Sequence, residues 1–491
     1  MIGELLTIWI GFNSCFSRRA AYHWFIITLF GFIVRLDHHG ITSHIRWLKI
    51  RPEQYETFLA FFRADSWVLA NILECWGKIV EKVSPIIKIK GFRILIGDGI
   101  KLSKEASNMP GVKKLHQESD NSGKSEWIFG HHFGIIGILA GKVGKLFCIP
   151  LSAEVHEGVE TLRLIQGKGA PEINNEPTTT IGTLMVNLAI QVSASLGGPS
   201  ILLLDAYFAI GSVFSLAKTL VSETGERLLH VITRAKSNVV GYEEPPAPNG
   251  KRGRPRKYGR KIVLHNFFTE LRSEFKETVV EVYGRIKTMS YLSLDLFWKP
   301  IGEKIRFVLV IDGENKFILL CSNLNLSPEE IITAYSYRFK IEVSFKMLKH
   351  LLGGFYYHFW TKACSFTKQQ LKSLEMGCLS KRSVELIGKT FNAIEAYVNF
   401  AAIALGTLQI LSLICSEKIW TNYKGWLRTY SSSYPSEEIV KSVIQYEFYH
   451  NFEDFNDNGI NRIIQSKQKE GSNTEKESHQ EEKKGLCTCF Q

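Results

Sequence analysis

The chain has 491 residues, 45% hydrophobic and 12% aromatic, with a formal net charge of +12. This excludes a disordered polymer and a single small domain, and it predicts two to four folding units. The basic surplus points to a polyanionic partner, nucleic acid or an anionic membrane surface.

Residues 1 to about 90 read as helical. The most apolar stretch, AYHWFIITLFGFIV (Ala21 to Val34), is shorter than the roughly 20 residues that span a bilayer, and Arg18, Arg19 and Arg35 flank it. It reads as a buried helix. The start of the chain lacks the basic opening of a signal peptide, so an intracellular protein is expected. Asp65 or Ser66 is the expected cap of a helix through WVLANILECWGKIVEKV. The nine cysteines are scattered, and only Cys487 and Cys489 lie close together. That spacing matches neither a disulfide framework nor a zinc ribbon, and free thiols are expected.

From Arg93 the texture changes. GFRILIGDG, WIFGHHFGIIGILAG and KLFCIPL are β-rich runs divided by glycine. PTTTIGTLMVNLAIQVSASLG reads as a helix. SILLLDAYF is a continuous apolar run, as in a strand buried on both faces. A helix over about 210–223 and a strand LLHVITRA follow. This order predicts a mixed sheet with helices on its faces. Near Ser237 a Pro- and Gly-rich charged segment, GYEEPPAPNGKRGRPRKYGRK, begins a mostly β insertion reaching about 325. It includes a strand TVVEVYGRIK and a hairpin turning at Asp312-Gly313. Ser327-Pro328-Glu329-Glu330 is a capping box that opens a long helix ending at Gly353-Gly354. Helical sequence continues to about 450. The segment beyond Ile464 is charged, of low complexity, and expected to be disordered.

On the long helix, Arg338, Glu342 and Lys349 follow Tyr335 by 3, 7 and 14 residues. At about 100° per residue these offsets fall within roughly 60° of the tyrosine, on one stripe. An ordinary salt-bridged solvent face is the alternative. The spacing Tyr-x2-Arg-x3-Glu-x6-Lys resembles the signature of a large group of DDE-type insertion-sequence transposases. RILIGDG and SILLLDAYF resemble the two aspartate-bearing strands of that group, in the same order, so the resemblance covers about 93–360. It implies an α/β, ribonuclease H-like mixed sheet flanked by helices, with a β insertion and helical ends. The units expected are a helical DNA-binding region (1–90), a catalytic core in two parts (91–236 and 326–415), the insertion (237–325), a helical C-terminal region (416–462) and a tail (463–491).

The resemblance implies that Asp98, Asp205 and Glu342 are catalytic ligands of two Mg2+ ions, with Mn2+ as a substitute. Magnesium takes hard oxygen ligands, and two ions can activate a nucleophile and stabilise a leaving 3′ oxygen. Asp98 would bridge both ions. Taken singly, Asp98 and Asp205 are as readily turn or cap residues. Asp312, a hairpin-turn residue, and Asp295, inside a β run, are set aside; Glu126, Glu154 and Glu157 are substitutes if a strand register differs. Arg338, Lys349 and Tyr335 are expected to contact DNA phosphate. His131 and His132 read as satisfied polar side chains and Trp298 as a core residue rather than a base-stacking one. KRGRPRKYGRK carries seven basic residues and no acid. Its Arg252-Gly253-Arg254-Pro255 resembles an AT-hook, and Arg252, Arg254, Arg256 and Lys257 are expected to bind DNA, in an A·T-rich minor groove or as a plain basic loop.

The expected function is transposition of an insertion sequence by DNA cleavage and strand transfer. The alternatives are a catalytically silent DNA-binding derivative and a ribonuclease H-like nuclease without strand transfer. The expected partners are double-stranded DNA, as element ends and target, and a second copy of the chain in the DNA complex, with no membrane. The apolar run Ala396 to Ile414 is either a dimer contact or a core helix. The expected location is the bacterial cytoplasm, on the nucleoid.

Overall fold

The computed structural model describes residues 1–104, 108–117, 123, 125–142, 145–156, 180–246, 256–282, 285–364, 380–428, 434–450 and 459–468. Its centre is a mixed sheet of thirteen strands among the described residues. The first seven are β1 (Lys88–Ile89), β2 (Phe92–Ser103), β3 (Lys113–His116), β4 (Trp127–Lys142), β5 (Lys145–Val155), β6 (Ser200–Leu204) and β7 (Leu229–Arg234). Five of them lie in the order β5-β4-β2-β6-β7. β4 runs antiparallel to both β5 and β2, whereas β2, β6 and β7 are mutually parallel neighbours. Every residue of β6 is buried, as its unbroken apolar run predicts.

The glycines of β2 set how closely the layers approach. A Cβ on Gly97 would stand 2.8 Å from Ile136 and 2.9 Å from Met185, and one on Gly99 would meet the His132 ring at 2.6 Å. Helix α6 (Ile181–Ser195), capped by Thr180, therefore packs tightly on that face. Asp98 lies between the two glycines and projects to the opposite face, because side chains alternate along a strand.

The insertion does not stand apart from this sheet. It supplies β8 (Val240–Tyr242), β9 (Lys261–Val263), β10 (Lys276–Val282), β11 (Arg285–Trp298), β12 (Glu303–Asp312) and β13 (Asn315–Cys321). β13 pairs antiparallel with β7, and β12 and β11 follow outward. The expected single strand TVVEVYGRIK is instead the end of β10 and the start of β11, which pair with each other. The turn at Asp312-Gly313 is present, with Gly313 at φ 62°. Two helical expectations also change. The helix expected over about 210–223 is the shorter α7 (Gly211–Ala217), because Val221 bridges back to Arg227. Helix α5 (Leu69–Val83) starts after Val68 without a side-chain cap, so neither Asp65 nor Ser66 caps it.

The two helical ends of the chain pack on one another. α2 (Arg19–Val34) is buried along nearly its whole length, as its all-round apolar sequence requires. It packs on α10 (Lys381–Ile414), α12 (Glu437–His450) and α13 (Gly459–Gln465). α10 is the one helix among the described residues long and apolar enough to cross a membrane, and 94% of its apolar window is buried inside the fold. Of the two readings of Ala396 to Ile414, the core helix is the one observed. α10 also closes the edge of β5. The Asn399 amide accepts from the Ala153 N–H at 2.9 Å and donates to the Ala153 carbonyl at 2.7 Å, and Glu395 accepts from Val155 N–H at 3.1 Å. Trp76 Nε1 donates to the Pro150 carbonyl at 2.8 Å and Ser344 Oγ to the Cys148 carbonyl at 2.6 Å. Side chains thus replace the neighbouring strand that this edge lacks.

Candidate active site

Asp98 sits where β2 passes beneath a helical run. Its side chain is 17% exposed. Oδ1 accepts from the Gly99 N–H at 2.7 Å, and Oδ2 accepts from Arg338 Nη1 at 3.2 Å. Burial, and next the Asp205 charge, push the Asp98 carboxyl up to about 6; Gly99 and Arg338 pull it down, and Glu342 raises it again. Asp205 directly follows β6. The parallel register pairs Ile96 with Leu203, so two residues further along, Asp98, in the middle of β2, and Asp205, just past the carboxyl end of β6, lie side by side. Asp205 also caps a short helical turn, Ala206–Phe208, accepting from the Tyr207 N–H at 2.7 Å, while its carbonyl accepts from Thr233 Oγ1 at 2.5 Å. Its turn-capping role and its place beside Asp98 therefore coexist.

Glu342 comes from the helical run, which is not one uniform helix as expected. α8 (Pro328–Ser336) opens with the predicted Ser327/Glu330 capping box. A 3-10 turn, Tyr337–Phe339, leads into α9 (Lys340–Lys346), and a π turn, Met347–Leu351, ends the run before Gly353 at φ 61°. Arg338 reaches across one turn to Glu342 while holding Asp98. One guanidinium thus bridges two of the three acids. Tyr335 lies within electrostatic reach of Arg338, but it lines a hollow of about 90 Å³ beside Arg234, Asp312 and Phe317. Lys349 stands exposed on the π turn.

Two buried cations that sequence reasoning passed over fix the end of this run. Arg35, fully buried after α2, donates to the Leu352 carbonyl at 2.5 Å and the Gly353 carbonyl at 3.0 Å. It also donates to Tyr397 Oη at 3.1 Å. Lys441 donates to the Leu351 carbonyl at 2.8 Å, and burial, then Arg35, lower its ammonium to about 8. Cations on the last carbonyls of a helix satisfy orphan acceptors and suit its dipole. In the sequence Arg35 was legible only as a flank of an apolar stretch.

The residues set aside are structural. Asp312 pairs with Lys287 at 2.8 Å, and Asp295 with Arg306 at 2.7 Å. His131 is buried; its Nε2–H donates to the Pro110 carbonyl at 2.8 Å, and its Nδ1 therefore accepts from Tyr357 Oη at 2.6 Å. Burial holds it neutral, at about 4. Trp298 is 6% exposed and packs edge-on against Phe214 at 5.1 Å, a core residue. Glu126 is exposed and faces His116, whereas Glu154 lines a cleft of about 500 Å³ with Arg63, Gln191 and Lys389. Neither joins the Asp98 cluster. Arg256 and Lys257 are exposed; Arg252, Arg254 and Glu157 lie outside the described residues.

As the side chains stand, no group of three or more His, Cys, Asp or Glu among the described residues is gathered closely enough to hold a metal ion. Arg338 spans the space between Asp98 and Glu342 instead. The donor set nevertheless suits a hard divalent cation. It is all carboxylate oxygen, and its buried member is raised by burial and then by the like charge of its neighbours, a repulsion that a cation relieves.

Residues 257–383 match the family model described as "Archaeal putative transposase ISC1217". The match supports a DDE-type transposase. The matched stretch contains β10 to β13, Tyr335, Arg338, Glu342 and Lys349, while Asp98 and Asp205 precede it. No curated protein matches the chain. A transposase of this type implies DNA as partner and a divalent metal in its chemistry.

Proposed function

We propose that the chain is an insertion-sequence transposase that binds double-stranded element ends and catalyses DNA strand cleavage and strand transfer. The observation that carries this reading is the convergence of Asp98 and Asp205, from adjacent parallel strands, with Glu342 from the helix above them, linked through Arg338. The sheet order β5-β4-β2-β6-β7, with its antiparallel first three strands in sequence and parallel remainder, supports a ribonuclease H-like core.

Asp98, Asp205 and Glu342 are the residues that would hold Mg2+ or Mn2+, two ions in the reading favoured here. Bound there, the ions supply Lewis acidity for the attacking water or 3′ hydroxyl and for the leaving 3′ oxygen. Arg338 holds Asp98 and Glu342 in one place against their repulsion, and its planar donors are also of the kind that pair with phosphate. Lys349, Tyr335 and the basic arm, with Arg252, Arg254, Arg256 and Lys257, bind DNA around the cut. Two protomers act on one paired-end complex, since two ends must be processed together. The buried state of Ala396 to Leu413 directs that contact to other surfaces. The protein works on the nucleoid, in the cytoplasm.

The test is incubation of the chain with its element ends and Mg2+. Wild type should nick and join the ends. Glu342→Gln should bind them and do neither. Full nicking by the variant removes the carboxylate assignment; binding without nicking by the wild type supports the silent DNA-binding alternative.

A further inference from the structure

Sequence spacing separates Cys15 from Cys75 by a large part of the N-terminal region, yet the fold brings their elements together. Cys15 ends the 3-10 turn Ile10–Cys15, and Cys75 lies in the middle of α5, which packs on that turn. Each thiol reaches the backbone of the other's element. Cys15 Sγ donates to the Asn71 carbonyl at 3.7 Å, one turn before Cys75. Cys75 Sγ donates to the Gly11 carbonyl at 3.4 Å, four residues before Cys15. Both side chains are half-buried, so small reagents can reach them. Elsewhere among the described residues, Cys148, Cys321 and Cys364 are buried and Cys415 is half-buried.

We propose that Cys15 and Cys75 form a reversible disulfide that staples the N-terminal segment to α5. The two sulfurs also lie within electrostatic reach of each other. This contact with Cys75 lowers the Cys15 thiol and raises that of Cys75, which makes Cys15 the attacking group. The oxidant is a low-molecular-weight disulfide, such as oxidised glutathione. The Cys15 thiolate attacks one sulfur of the oxidant and expels the first small thiolate. The Cys75 thiol then loses its proton and attacks Cys15 Sγ in the mixed disulfide, expelling the second. Two protons and two electrons leave the protein, and the small disulfide is reduced to two thiols. The closed loop spans most of the N-terminal helices, so the crosslink restricts the unfolded chain substantially. It also fixes α5, whose Trp76 holds the edge of β5.

The test uses the full chain with Cys487 and Cys489 changed to Ser, so that the tail thiols cannot contribute. The protein is treated with oxidised glutathione at about pH 8, alkylated, and mapped by non-reducing peptide mass spectrometry alongside thermal melting. The expected result is a Cys15–Cys75 linked peptide and a Tm raised by roughly 3–4 °C, both reversed by dithiothreitol. Cys15→Ser and Cys75→Ser should each melt near the reduced parent and gain neither the peptide nor the rise. Glutathione adducts without the linked peptide overturn the pairing, and a linked peptide without a higher Tm overturns the staple. Should either serine variant fail to fold, the oxidised and reduced forms of the parent decide the matter alone.

Discussion

Replacing Asp98 with Asn should make the metal-free protein more stable at neutral pH while abolishing DNA cleavage. The Asp98 carboxyl is raised from an ordinary 3.8 to about 6 by burial and by Asp205. At about 1.4 kcal/mol per pH unit, keeping it ionised at pH 8 costs the folded state about 3 kcal/mol. A competing term is the ion pair with Arg338 at 3.2 Å, whose gross attraction at an effective dielectric of 20 is about 5 kcal/mol. That attraction is already contained in the raised value, since Arg338 is one of its causes, so the penalty remains after the pair is counted. The sign follows from the order of the two values. The folded state holds this proton more tightly than the unfolded state. Its contribution to stability is therefore complete below about pH 4 and lost as the pH rises through about 6. Between pH 5 and pH 8 the loss is about 1.4 kcal/mol, which Asp98→Asn does not suffer. Urea denaturation of both proteins in EDTA at the two pH values measures it. The variant's advantage should be larger at pH 8 by about that amount. An advantage that is independent of pH, or larger at pH 5, would refute the placement of Asp98 in a buried cluster of like charges.

Asp312→Asn should leave cleavage intact and cost no more than about 1 kcal/mol in chemical denaturation, because its pair with Lys287 is partly exposed; lost nicking would return Asp312 to the list of candidate ligands. Deleting residues 251–257 should weaken duplex binding and flatten its salt dependence, read from titrations at several ionic strengths, because fewer phosphate contacts release fewer counterions. Arg254→Ala should then weaken A·T-rich duplexes more than G·C-rich ones, and equal losses would leave a plain basic loop. Asn399→Ala should destabilise the protein by about 2–4 kcal/mol, since the Ala153 N–H and carbonyl both lose a buried partner; a loss under about 0.5 kcal/mol would show that this edge is satisfied another way.

Much of the sheet was legible because its strands carry their own boundaries. The apolar run of β6, the glycines of β2 and β4, and the turn at Asp312-Gly313 each express a local requirement for burial, close approach or positive φ. What failed were the places where a long-range partner sets the limit. Val221 pairs with Arg227 and cuts α7 short. β13 joins β7 and makes the mostly β insertion continuous with the central sheet, a pairing its sequence does not announce. An outward-facing edge reads the same in sequence whether it meets water, another strand or the side chain of Asn399.

The site divides along the same line. Arg338 and Glu342 were legible as a pair because they stand four apart, and such neighbours meet whatever the rest of the fold does. Asp98 and Asp205 were legible as acids following apolar runs, and although β2 continues past Asp98 to Ser103, the parallel register of β2 and β6 makes the two adjacent. The stripe from Tyr335 to Lys349 was less secure, for it assumed a constant 100° per residue over the whole run. The 3-10 turn at Tyr337–Phe339 winds more tightly than an α-helix and the π turn at Met347–Leu351 more loosely. Residues on opposite sides of these irregular turns are rotated away from the positions that a uniform helix would give them. Tyr335 lines a hollow with Asp312 while Arg338, three residues on, holds Asp98. The carbonyls at the end of the run are taken by Arg35 and Lys441, from opposite ends of the chain. The burial cost of these charges is offset by three carbonyls offered together, part of them by the π turn, and for Arg35 also by the Gly40 carbonyl and the Tyr397 hydroxyl. The run that carries Glu342 is thus held at its end by residues outside the motif, and the spacing of the motif alone does not set its bearing.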